Sequence, residues 1–271
     1  MRKKIGIVTS EGGARCAYAA GAILALVEKY DLTEPYLVMG SSGSTGTLFY
    51  YISGQYQAIK NIWENLLSTR KFVSFFRFWR IMDIDYLIDH VLKKENKVSE
   101  DEIKTSPIKF YFAATNKRTG ECRYFHNGDD VDIFEALRAS SAMPVAYNKS
   151  VLIEGAEYID GSLSADLQQN ILSAQSKGAE KIIAIDNADD SWWSIDLLEL
   201  YANFFDKAVK KKVEEGIALK HKKYGDSVFL IKPEKLKIGT LDNRQSRLKQ
   251  ALAQGYEDTA NNPHLMDFLA S

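Results

Sequence analysis

Apolar positions along this chain fall into two kinds of segment that take turns. Runs at Lys4–Thr9, Tyr36–Met39, Ile108–Thr115, Lys181–Asp186 and Ser227–Ile231 are short, rich in apolar and β-branched residues and nearly continuous, the pattern of strands buried on both faces. Between them the spacing turns helical, at about Cys16 to Lys29, Thr47–Ile52, Ala58–Leu67 and Asp132–Arg138. Arg123–Phe125 reads as the hairpin partner of Ile108–Thr115 across the turn cluster Asn116–Gly120, and Tyr158–Ile159 as a further short strand. Strand, turn and helix follow one another twice before Gln55, which predicts a parallel sheet with crossover helices. The fold class expected is α/β, in three α/β/α layers around a mostly parallel central sheet.

Two segments depart from this rhythm. Phe72, Phe75, Phe76, Phe78, Trp79, Ile81, Met82, Tyr86 and Leu87 crowd one stretch, an aromatic density that fits a core insert or a lipid-facing lid. Aromatic stripes are more often core, and the insert is the expectation. Ile195, Leu198, Tyr201, Phe204 and Val209 carry a helical period that follows Trp192-Trp193 and runs into Lys210-Lys211-Lys212. Trp beside a basic amphipathic helix suits a membrane interface, but a helix covering the sheet has the same signature. No repeat or linker divides the chain. One domain over residues 1–271 is expected, with its core at 4–186 and a helical part at 190–271.

The 271 residues can bury one large core, and 45% apolar with 26% charged residues is an ordinary globular balance. A net charge of −1 argues against nucleic acid as partner, because phosphate backbones select strongly basic surfaces. Cys16 and Cys122 make neither a disulfide framework nor a metal cluster and read as reduced thiols. The N-terminal apolar run Ile5–Val8 is too short for a signal segment, and no run approaches the roughly 18 residues of a membrane span. A cytoplasmic protein is expected, and a peripheral membrane contact is compatible with the sequence.

Three short stretches carry candidate chemistry. In Gly40-Ser41-Ser42-Gly43-Ser44 a serine stands two residues after a glycine where a buried strand turns into a helix, the layout of a nucleophile elbow. Gly40, Gly43 and Gly46 supply small neighbours, although Ser44 occupies the second glycine place of Gly-x-Ser-x-Gly. Gly12-Gly13-Ala14-Arg15 opens a helix with exposed amides, which suits an oxyanion hole or a phosphate loop. It fits neither the Walker nor the dinucleotide glycine pattern, so the nucleotide reading is weak. Asp160-Gly161 follows a strand, and by itself is a turn signal. A nucleophilic serine needs a base, and none of His90, His126, His221 and His264 sits at an evident strand-to-loop junction. A Ser-His-Asp triad stays open, but with no histidine recommending itself the base expected is a carboxylate.

Taken in order, Ser10–Arg15 with Gly21, Gly40–Ser44 with Gly54, Ala114-Thr115-Asn116 with Thr119-Gly120, Ala139-Ser140-Ser141-Ala142-Met143-Pro144, and Tyr158–Ser162 with Gly178–Ile183 resemble the motifs of patatin-like phospholipases. The resemblance implies a lipid acyl hydrolase without metal or organic cofactor, acting on phospholipid or other acyl esters through an acyl-enzyme. It implies a Ser42–Asp160 dyad, with amides of Gly12, Gly13 and Ala14 as the oxyanion hole. Arg15 has two readings, a ligand for lipid phosphate or a partner for a nearby acid. Glu11, Cys16, Ser44 and Ser162 stand where the family commonly has glycine, and Gln168 where it often has proline. These departures keep open a degenerate member that binds lipid or a partner without efficient catalysis.

Overall fold

The computed structural model describes residues 3–77, 80–144, 146–188 and 224–271. The chain opens with β1 (Ile5–Thr9), α1 (Ala17–Tyr30), β2 (Leu37–Ser41), α2 (Gly43–Ile52), α3 (Tyr56–Asn61) and α4 (Glu100–Thr105). It continues through β3 (Lys109–Asn116), β4 (Cys122–His126), α5 (Ile133–Ser140), β5 (Val151–Ile153) and β6 (Ala156–Asp160). The last elements used below are α6 (Leu167–Ser176), β7 (Lys181–Ile185), β8 (Val228–Ile231) and α7 (Gln245–Ala260). Among the described residues, eight strands form one sheet along the path β5-β6-β3-β2-β1-β7-β8, with β4 pairing to β3. The pairings from β3 through β2, β1 and β7 to β8 are parallel, and β4, β5 and β6 add antiparallel strands at the β3 end.

Alternation along the central strands sorts their side chains into two cores. Ile7, Val38, Phe110, Phe112, Ile183 and Ile185 face the larger one, which α1, α2, α5 and α7 cover. Val8, Leu37, Met39, Ile182 and Ala184 face the other, where Leu167, Ile171 and Ala174 of α6 lie. Helices therefore lie on both faces of the sheet, as the uniformly apolar strands require.

The helix α7 falls within the helical part expected at 190–271, although no local pattern marked its bounds. This helix presents Leu248, Ala251, Leu252, Gly255 and Thr259 to α1, a face made largely of small residues. A methyl added at Gly21 would overlap the Leu252 carbonyl, and one at Gly255 would overlap the Tyr18 carbonyl. The two helices thus touch backbone to backbone. Tyr18 Oη donates to Asp258 Oδ2 at 2.9 Å and Tyr30 Oη to the Thr259 carbonyl at 3.0 Å, which fix the register.

The aromatic insert is divided in its role. Phe72, Val73, Met82, Ile84, Leu87 and Ile88 are buried in the main core, whereas Phe75 and Phe76 are 59% and 81% exposed. Phe78, Trp79 and the helical period expected from Ile195 to Glu215, with Trp192-Trp193, lie outside the described residues.

Because nothing can shift a backbone carbonyl aside cheaply, Gly255→Ala should cost about 3 kcal/mol of unfolding free energy, read from urea denaturation. Gly46→Ala, at a helical position with no atom within 4 Å of the new methyl, serves as the control and should stabilise by about 0.5–1 kcal/mol.

Candidate active site

The site is built along β3. Ala113 lies opposite both Ser41 of β2 and Tyr124 of β4, and Ala114 opposite both Asp160 of β6 and Arg123 of β4. A strand has only two edges, so β4 fills one and β2 followed by β6 share the other. The strand β2 runs parallel to β3 and β6 antiparallel, so their C-terminal ends point at each other and stop on adjacent β3 residues. Ser42 and Asp160 meet there, and Ser42 Oγ donates to Asp160 Oδ2 at 2.8 Å.

Ser42 sits between β2 and α2 with φ 54° and ψ −135°, a conformation that costs a non-glycine residue roughly 1–3 kcal/mol. That bend turns the hydroxyl off the strand direction toward Asp160. The Ser42 N–H donates to Ser140 Oγ at 3.2 Å, and Ser140 Oγ lies 3.4 Å from Thr45 Oγ1. Gly40 is required by crowding, since a methyl there would come within 2.6 Å of Thr9 Oγ1 and 2.9 Å of Leu48 Cδ1. Ser44 is already helical, and its Oγ accepts from Thr9 Oγ1 and donates to the Ser41 carbonyl, both at 2.9 Å. No glycine is needed at that place.

Asp160 is fully buried. Its Oδ1 accepts from the Ser162 N–H at 2.9 Å, its own N–H donates to the Ala142 carbonyl at 3.1 Å, and Thr115 Oγ1 donates to its carbonyl at 2.7 Å. Gly161 lies flat on β3, where a methyl would overlap the Ala113 carbonyl. Burial raises the Asp160 carboxyl from its ordinary 3.8 to about 6, against the lowering effect of the bonds from Ser162 and Ser42. At neutral pH it is ionised and poorly solvated, a stronger base than an exposed aspartate.

Gly12 and Gly13 have φ of 147° and 56°, and Gly13 packs directly on Gly43, whose added methyl would lie 2.9 Å from the Gly13 carbonyl. The glycine loop is therefore beside the residue that follows Ser42. Among the described residues the Gly12 and Gly13 amides donate to no protein oxygen, but the Ala14 N–H donates to the Thr240 carbonyl at 2.9 Å. In this conformation the expected third donor at Ala14 is engaged elsewhere. Arg15 is buried, and its Nε donates to the Asn187 carbonyl at 2.9 Å. Its Nε is thus engaged within the protein. Cys16 is buried behind the loop, and its thiol is pushed well above its usual range by burial, then by the charges of Glu11 and Asp160.

Of the histidines, His90 pairs with Glu95 at 3.4 Å on the insert, His126 lies on β4 with its ring against Tyr111, and His264 precedes the C-terminal helix Leu265–Ala270. His221 lies outside the described residues. Among the described residues, no three of His, Cys, Asp and Glu gather in a group suited to a metal ion.

Three positioning residues escaped the sequence reading. Ser140 lay inside a quoted motif without an assigned task. Asn187 follows β7, and its Oδ1 accepts from the Ala19 N–H at 3.1 Å while its Nδ2 donates to the Ser10 carbonyl at 2.9 Å. It ties both ends of the glycine loop together, and its place at the C-terminal end of a parallel strand was the available signal. Thr240 had no local signal.

A family model described as patatin-like phospholipase matches residues 8–170. The chain belongs to the patatin-like phospholipase family. The family match contains Ser42 and Asp160, while Asn187 and Thr240 lie beyond it. The Escherichia coli (strain K12) protein YjjU, itself described as uncharacterized, is 25% identical over 187 residues, 67% of this chain. Those residues are 51% of YjjU, so the chain spans about half the length of that curated relative. VipD from Legionella pneumophila shares the fold, with a TM-score of 0.54 at 14% identity over 99% of this chain and 67% of VipD. Human GIVD cytosolic phospholipase A2, in complex with methyl gamma-linolenyl fluorophosphonate, has a TM-score of 0.48 at 11% identity over 99% of this chain and 59% of that chain. That likeness is too loose to bear on the site.

A carboxyl whose folded-state pKa exceeds its unfolded value binds its proton more tightly when folded. Its stabilising contribution is complete below pH 3.8 and is lost as pH rises toward about 6. Asp160→Asn removes this loss and should gain up to about 3 kcal/mol at pH 7 but little at pH 4, measured by urea denaturation at both.

Proposed function

We propose that this protein is a lipid acyl hydrolase in which Ser42 is the nucleophile and Asp160 its base, within one domain spanning residues 1–271. The observation that carries the reading is the 2.8 Å hydrogen bond from Ser42 Oγ to a fully buried carboxylate at a strained strand-to-helix bend. Family membership supports ester hydrolysis of lipids as the class of reaction.

In the proposed cycle Asp160 takes the Ser42 proton as Oγ attacks the ester carbonyl carbon. The charge that develops on the carbonyl oxygen is met by amides of Gly12 and Gly13, whose loop packs beside Gly43. Each such donor is worth roughly 3–4 kcal/mol in acyl transfer. Collapse of the tetrahedral intermediate expels the alcohol, which receives the proton from Asp160, and leaves Ser42 acylated. Water then attacks the acyl carbon with Asp160 again as base, releasing the fatty acid and restoring the hydroxyl. Metal chemistry is not invoked at any step.

Two observations favour a second reading, a member that binds lipid without turning it over. The Ala14 N–H is engaged by Thr240, and the Glu11 charge reaches Cys16 just behind the glycine loop. Negative charge beside an oxyanion site opposes the intermediate.

Purified protein should hydrolyse p-nitrophenyl acyl esters, and Ser42→Ala and Asp160→Asn should each lower kcat/KM by at least about 10³-fold. A fluorophosphonate should label Ser42 in the parent protein only. Absent labelling of a folded parent protein would decide for the non-catalytic reading. For the active enzyme, kcat/KM should fall about tenfold per pH unit below a pKa of about 6, as Asp160 becomes protonated.

A further inference from the structure

The exposed phenylalanines of the insert are held out by built structure. Val73 bridges Met82, and the Ser74 N–H donates to the Ile81 carbonyl at 2.8 Å, closing a narrow loop whose outer end carries Phe75 and Phe76. Arg77 folds back beneath them and donates to the carbonyls of Lys71 at 3.0 Å and Phe72 at 2.9 Å. Arg77 and Arg80 pair with Asp83 at 3.2 Å, and Arg80 with Asp85 at 2.9 Å. Two apolar rings are thus displayed on a braced loop, although a flexible loop could have folded them inward.

The same loop is wired to both sides of the candidate active site. The Met82 N–H donates to the Ala146 carbonyl at 2.8 Å, on the segment whose Ser140 and Ala142 bind the amides of Ser42 and Asp160. Asp85 and Asp89 bind Arg138 of α5 at 2.5 and 2.8 Å, two residues before Ser140. On the other side Asn243 Nδ2 donates to the Val73 carbonyl at 3.0 Å, three residues after the Thr240 carbonyl that engages Ala14.

We propose that the Phe75–Phe76 loop is an anchor that inserts into an anionic lipid surface beside the active site. The proposal deepens the lipid-hydrolase reading and rests on it for the choice of partner. Exposed apolar rings beside exposed cations favour a lipid surface, whose apolar interior and anionic head groups match both. Insertion needs no shaped counterpart, and each ring removed from water strengthens binding about tenfold. The charge is complementary as well. Arg77 and Arg80 are neutralised by Asp83 and Asp85, while Arg70 and Lys71 stand exposed at the base of the loop, where anionic head groups would lie.

The test is cosedimentation of the Ser42→Ala protein with vesicles of phosphatidylcholine, alone or mixed with phosphatidylglycerol. Binding to the mixed vesicles is expected, and Phe75→Ser with Phe76→Ser should weaken it about 100-fold, about tenfold per ring. Arg70→Glu with Lys71→Glu should weaken binding to the mixed vesicles about tenfold and leave phosphatidylcholine binding unchanged. In the Ser42 background the double phenylalanine variant should keep its rate on a soluble p-nitrophenyl ester and lose rate on vesicular substrate. Failure of the Ser42→Ala protein to bind either vesicle, or undiminished binding by the double phenylalanine variant, would overturn the proposal. So would a dimer that this variant converts to monomer, since the tip would then be a protein interface. A failed anchor leaves soluble-ester hydrolysis intact, and a failed dyad leaves vesicle binding intact, so the two readings fall separately.

Discussion

The site depends on two strands ending face to face along a third. The strands β2 and β6 approach from opposite directions on one edge of β3 and stop at neighbouring residues, so the side chains just beyond their ends meet. Neither strand could run further without displacing the other. The meeting point is lined by backbone on all sides, which is why Gly161 lies against the Ala113 carbonyl and Gly43 against Gly13. The chain places a hydroxyl and a carboxylate at this junction, where water has little room.

Two costs accompany this arrangement. Ser42 holds a positive φ that its side chain disfavours, and Asp160 keeps a carboxyl in a site that favours its neutral form. Both are borne by the surrounding sheet and by α1 packed on α7. Such costs are ordinary at functional sites and hard to explain at a merely structural turn, since glycine at 42 and asparagine at 160 would relieve them. The same burial that destabilises the carboxylate raises its basicity, so stability and chemistry pull against each other at one atom.

Residues distant in sequence hold the glycine loop. Asn187 binds the Ser10 carbonyl and the Ala19 amide, Arg15 binds back to Asn187, and Thr240 engages Ala14. Three departures from the family pattern, at Cys16, Ser44 and Ser162, are absorbed locally. Ser44 is helical with both hydroxyl bonds satisfied, and Ser162 serves through its backbone N–H, for which any residue suffices. Cys16 is helical too and needs no positive φ.

By itself the sequence determined the layered α/β class, the strands β1 to β4 and β6 to β8, and the residue types at the junction. Uniform apolar runs mark strands buried on both faces, and a serine or aspartate at a strand end has a local signature. It did not mark the bounds of α7 within the helical part at 190–271, because that helix packs through Ala251, Gly255 and Thr259, small residues that allow close approach and leave little hydrophobic period. Nor did it separate Phe72 from Phe75, since an aromatic side chain looks the same in either place. Only the tertiary structure decided that Ser42 and Asp160, 118 residues apart, share one hydrogen bond, and that Arg15 Nε is engaged within the protein. Those outcomes depend on which strand edge is occupied and on which carbonyl lies within reach, and both are set by the packing of segments far apart in the chain.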